Sequence, residues 1–93
     1  MKFIAAVFVA AMATGSNAWL FSSCQGGGID NWKKNDCHNV DADSVQFQSD
    51  NGCTIFIYGE EGCQGTAVTT KTQNTCFSST SGHVSSVKCV EGL

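Results

Sequence analysis

Six cysteines, Cys24, Cys37, Cys53, Cys63, Cys76 and Cys89, are the residues of this 93-residue chain whose chemistry can be read from type and spacing. Thiolates in CxxC or CxxxxC pairs, or histidines at HxxxH-type spacing, would point to zinc. None of the gaps here has that form, and His38 and His83 stand far apart. An even number of cysteines in a short chain instead reads as three disulfides, which belong to an oxidising compartment and leave no thiol over for catalysis. The carboxylates Asp30, Asp36, Asp41, Asp43, Asp50, Glu60, Glu61 and Glu91 are scattered, with no apolar setting that would raise a pKa for general acid or base work. Two histidines in loop-like sequence do not make a Ser-His-acid relay, and no cofactor is implied. The run Gly26, Gly27, Gly28 lacks the strand-to-helix switch and Gly-Lys-Ser/Thr ending of a phosphate loop and reads as a turn, and there is no Asn-x-Ser/Thr sequon. The chain is expected not to be an enzyme.

The amino-terminal residues 1–18 read as a signal peptide: Lys2 precedes an apolar run over residues 3–13, and Ser16, Asn17 and Ala18 offer small residues to a peptidase. Eleven apolar residues are too few to span a bilayer, which needs about 20. Cleavage is placed after Ala18, the other small-residue site following Ala13. The remaining 75 residues carry four lysines, no arginine and eight acidic residues, a formal charge of −4. Such a chain is a poor ligand for nucleic acid or an anionic membrane, and it carries no membrane anchor. It is also too short to rely on one apolar core alone, so the cystines are expected to staple it.

The cysteines sit in a repeat. Cys24, Gln25 and Gly26 return 39 residues later as Cys63, Gln64 and Gly65, Asn35 and Cys37 return as Asn74 and Cys76, and Trp19 aligns with Tyr58. Ser44 and Val45 return as Ser86 and Val87 at an offset of 42, which implies a three-residue insertion in the second copy between Cys76 and Ser86. One domain over residues 19–93 is expected, its first copy over about 19–50 and its second over about 51–93. Short runs with period-two alternation or β-branched and aromatic residues predict strands at 44–48, 53–58, 66–70 and 84–90, with weaker ones at 19–22 and near 30–33. Asp50, Asn51 and Gly52 predict a hairpin between the first two of these. No window has a sustained helical period, so the class is all-β. The serines Ser78, Ser79 and Ser81 read as solvated loop.

The segment IFIYGEEGCQGTAV (residues 55–68), closed by HVSSVKC (residues 83–89), resembles a βγ-crystallin Greek key motif: a strand ending in an aromatic, a glycine-bearing folded hairpin, a residue-Gln-Gly triplet, and later a Ser-Ser-Val strand. Cys63 stands where the family usually has an aromatic. The first copy is a degenerate motif, recognisable chiefly through its alignment to the second. The resemblance implies a disulfide-stapled sandwich of two four-stranded sheets, each motif lending a strand to the other's sheet, with Val45, Phe47, Ile55, Ile57, Val68, Val84 and Val87 in the core. It also implies a Cys53 to Cys89 bridge. For the other four cysteines the repeat favours Cys24 with Cys37 and Cys63 with Cys76, ahead of crossed pairs between the copies. The family's calcium ligands are not carried over: residues 81–86 of the second copy lack the acidic pair, and Asp41 and Asp43 of the first are weak candidates that read more simply as a solvated turn.

What the resemblance implies for function is an extracellular protein acting through its surface. Small cysteine-rich effectors of plant-associated fungi with crystallin-like folds share this profile, as do yeast killer toxins and structural or stress proteins of the same fold. The acidic charge counts against a membrane-active antimicrobial. A monomer that binds a host or competitor component is expected, with Trp32, Lys33 and Lys34 as contacts because the second copy has no equivalent cluster. The alternative is that Trp32 belongs to the core.

Overall fold

The computed structural model describes residues 18–50 and 52–92. Residues 1–17, and with them nearly all of the signal peptide, lie outside the described residues. Within them there are seven strands and no helix: β1 (Ala18–Ser23), β2 (Asp30–Lys33), β3 (Cys37–Ala42), β4 (Val45–Ser49), β5 (Thr54–Tyr58), β6 (Ala67–Thr70) and β7 (Val84–Val90). They form two antiparallel sheets, one in the order β2-β1-β4 and the other β3-β7-β5-β6. The core lies between them.

Alternation decides which side chains enter that core, because successive residues of a strand point to opposite faces. From the first sheet come Trp19 and Phe21 of β1 with Val45 and Phe47 of β4, Phe21 standing opposite Phe47. From the second come Ile55 and Ile57 of β5 opposite Cys89 and Val87 of β7. Val84 also reaches the core, beside a register shift between Asn39 and Ala42 of the β3–β7 ladder that re-aims its end. Val68 is only half-buried and packs against the cluster from β6. One aromatic column ties the sheets together. Phe21 stacks on Trp32 at 4.9 Å, Trp32 stacks on His38 at 3.9 Å, and Trp19 meets Phe21, Trp32 and Phe47 edge-on, the arrangement favoured by ring quadrupoles.

The two halves of the chain are interleaved. Strand β3 belongs to the first half yet pairs only with β7 of the second, Cys37 opposite Lys88 and His38 opposite Val87. In return Phe77, from the second half, makes a two-way main-chain bridge with Val45 at the free edge of β4. These contacts are partners under the repeat, since residues 38 and 87 correspond to 77 and 45. So are two further bonds, from Asn35 N to Cys89 O and from Asn74 N to Phe47 O. Asn35 and Asn74 both hold positive φ, 70° and 59°, a conformation that asparagine tolerates better than most residues.

Four expectations change. Strand β3 was not predicted: its sequence, CHNVDA, is rich in residues with low strand propensity, and only His38, Val40 and Ala42 point inward. The first sheet has three strands and the single Phe77 bridge instead of four: residues 72–75 are polar, with Asn74 at a positive φ of 59°, and Phe77 is the residue of this stretch that packs against the core. The hairpin at Gly52 is not formed. Gly52 does take a positive φ of 76°, but β4 and β5 lie in different sheets, since β5 is claimed on both edges by β6 and β7. Finally, the bridges Cys24–Cys37 and Cys63–Cys76 are replaced by Cys24–Cys76 and Cys37–Cys63, beside Cys53–Cys89. Strand exchange carries Cys37 away from its own copy to the neighbourhood of Cys63. The crossed pairs respect the repeat equally well, because each bridge maps onto the other under the 39-residue offset.

Residues 59–65 fold back over the outer face of the second sheet, and Ser86 pegs them there. Its fully buried hydroxyl accepts from Cys63 N at 2.9 Å and donates to Glu60 O. Asn39 Oδ1 accepts from Gly62 N at 2.8 Å close by. Ser86→Ala leaves the part-buried Cys63 N donor and Glu60 O acceptor unpaired, which costs about 1–3 kcal/mol. A urea denaturation is expected to show that loss, and an unchanged midpoint would contradict the role given to Ser86.

Candidate functional site

Strand β2 and the turn that follows it distribute the three residues expected as contacts to different places. Trp32 faces inward and is held between Phe21 and His38, half-buried. Lys33 points the other way and is exposed, its main-chain oxygen accepting from Trp19 Nε1 at 3.1 Å. Lys34 is buried, its side chain 2% exposed and its Nζ 3.7 Å from the Glu91 carboxylate. The segment is fixed there by Asn35, whose amide donates to Cys89 O and whose Oδ1 accepts from Glu91 N. Consecutive positions on a strand cannot share one face. Of the three, Lys33 alone is an exposed charge.

Asp41 and Asp43 flank the buried Ala42 at the end of β3, and both are exposed. The His83 ring lies between them, Nε2 at 2.8 Å from Asp41 and Nδ1 at 3.5 Å from Asp43. The same corner is tied by Gln25, whose Oε1 accepts from the amides of Asp43 and Ser44 and whose Nε2 donates to Ser44 Oγ. Ser78 Oγ donates to Asp43 O at 2.7 Å. Among the described residues no three His, Cys, Asp or Glu side chains are arranged to hold a metal ion.

The serines do not prime the histidine. Ser79, which is buried instead of solvated, donates to the main-chain oxygen of His83, and Ser81 bonds that same oxygen at 3.4 Å. These bonds shape the loop before β7 and leave the imidazole facing the two aspartates. The other imidazole, His38, is committed to the stack on Trp32. Neither ring is aimed at a hydroxyl nucleophile.

The loop that Ser79 shapes forms one wall of an open cleft of about 200 Å³, with the folded residues 59–65 as the other. It is lined by Gly59, Glu60, Gln64, Thr66, Thr80 and Ser81. Neither the threonines nor Gln64 were singled out by the sequence as ligand-facing; the signal available was Gln64, the repeat partner of Gln25. The cleft is smaller than the roughly 300 Å³ or more of an ordinary small-molecule pocket and suits a single polar group. No protein-family model, no curated protein and no solved structure matches the chain.

With the His83 ring between Asp41 and Asp43, calcium would have to displace an internal partner to reach two exposed carboxylates. Calorimetric titration of residues 19–93 is expected to show no calcium site tighter than about millimolar, the weak end of the range for extracellular modules. Micromolar binding would contradict this.

Proposed function

We propose that this chain is an exported binding module built on a βγ-crystallin-type pair of Greek keys, and that it acts as a non-catalytic effector on a host by presenting its surface. The fold part of the reading is supported by the interleaving: β3 of the first copy is hydrogen-bonded into the sheet of the second, and the Phe77 bridge answers it at the equivalent place in the first. Export is supported by the leader-like residues 1–18 and by three disulfides in so small a chain. Among the described residues no helix is long and apolar enough to cross a membrane.

The observation that carries the functional part is the engagement of both histidines and of the serine cluster in contacts that hold the fold, beside an open polar cleft in which the side chains of Glu60, Gln64, Thr66 and Thr80 make no hydrogen bond among the described residues. An effect outside the cell then comes from what the surface captures. The acidic charge directs that surface toward basic or neutral partners and away from nucleic acid and anionic lipid. Deleting the gene and scoring both host colonisation and inhibition of competing microbes tests the assignment. Reduced colonisation with inhibition unchanged is the expected result. Loss of inhibition with colonisation intact would replace the effector reading by a killer-toxin-like one, and no change in either would favour a structural role.

A further inference from the structure

The cleft between residues 59–65 and the loop before β7 exists because the two copies treat one glutamine differently. Gln25 of the first copy is consumed by the fold, its amide making three hydrogen bonds to Asp43 and Ser44. Its partner under the repeat, Gln64, makes none among the described residues and lines the cleft instead. The residue that would receive it by symmetry, Ser86, is occupied by Glu60 O and Cys63 N. The space is kept open by two glycines. A Cβ on Gly59 would stand 2.7 Å from Ser81 Oγ, and one on Gly65 would stand 3.2 Å from Glu60 Oε2, so the carboxylate lies over bare backbone. The Glu60 main chain is anchored by Ser86.

Resting on the reading of this chain as a surface-binding module, we propose that the cleft captures the guanidinium of an arginine presented by a basic protein segment. The lining holds one charge, the Glu60 carboxylate, together with acceptor oxygens from Gln64, Thr66, Thr80 and Ser81, and no cation. An anionic ligand has nothing to pair with there. A sugar ring would find hydroxyl partners but no aromatic platform, since none lines the cleft. Guanidinium offers five N–H donors and no acceptor, and its planar fork can pair a carboxylate through two hydrogen bonds at once. A cleft of about 200 Å³ admits such a group.

Amide shifts of residues 19–93 titrated with a triarginine peptide test this. The expected result is movement of the amides of residues 59–66 and 80–81. The tricitrulline peptide, equal in shape but uncharged, and the variant Glu60→Gln should each weaken the response about tenfold or more, as loss of a charged hydrogen-bond partner does. Glu60→Gln keeps the main-chain bond to Ser86, so its folding is not in question. Gly59→Ala, at a position without left-handed φ, puts a Cβ 2.7 Å from Ser81 Oγ and 3.2 Å from Ser79 Oγ, so it should displace that wall of the cleft and remove the response, with its own amide changes confined to residue 59 and the loop before β7. No shift in the cleft, an equal response to tricitrulline, or movement of these amides by chitotriose and not by triarginine would overturn the inference. The colonisation assay would then still decide the effector reading by itself.

Discussion

The ladder between β3 and β7 is the contact on which the rest of the structure depends. It is a main-chain pairing between a strand from the first half of the chain and the last strand of the second. Once it forms, Cys37 is delivered to Cys63, Asn39 to Gly62, Asn35 to Cys89 and Asp41 to His83. It also brings His38 under Trp32, which completes the aromatic column between the sheets. A chain of this size that folded each copy separately would have two cores too small to bury their own aromatics. Exchange merges them into one.

The repeat explains the architecture, and departures from it explain the surface. Asn35 and Asn74, His38 and Phe77, and the two crossed cystines obey the repeat, with offsets of 39 before the insertion and 42 after it, down to single hydrogen bonds. The second copy then lengthens between Cys76 and Ser86, and its third strand shrinks to the Phe77 bridge. The extra residues become the loop that Ser79 braces against His83 O. That loop is the wall the first copy lacks, and Gln64 is released to it.

Strands β4, β5, β6 and β7 were legible because their apolar residues recur with period two or their β-branched and aromatic content is high, and β1 and β2 as weaker matches to them in the first copy. Of the seven side chains expected in the core, Val68 alone stays half-buried. Strand β3 was illegible because pairing with β7, a long-range event, overrides the weak strand propensity of Asn39 and Asp41. The same event hid the cystine pattern: equal spacings within each copy suggest local bridges, and only the exchange makes the crossed ones short. The lack of an equivalent cluster in the second copy points to Trp32 as a contact, but alternation along β2 sends it inward against the core, the alternative reading, and Lys33 outward. The cleft could not be read at all, since it depends on which of two equivalent glutamines the fold consumes.

The exchange of strands is most directly tested by the cystine map of the oxidised protein, residues 19–93, digested after lysine under denaturing, non-reducing conditions. Lysines at 33, 34, 71 and 88 divide it so that Cys37, Cys53 and Cys63 share the fragment 35–71. With Cys24–Cys76, Cys37–Cys63 and Cys53–Cys89, mass spectrometry finds two separate products: 19–33 joined to 72–88, and 35–71 joined to 89–93. A single product joining all four fragments would mean that Cys24 and Cys76 are both bridged to the fragment 35–71 instead of to each other, and would contradict the exchange.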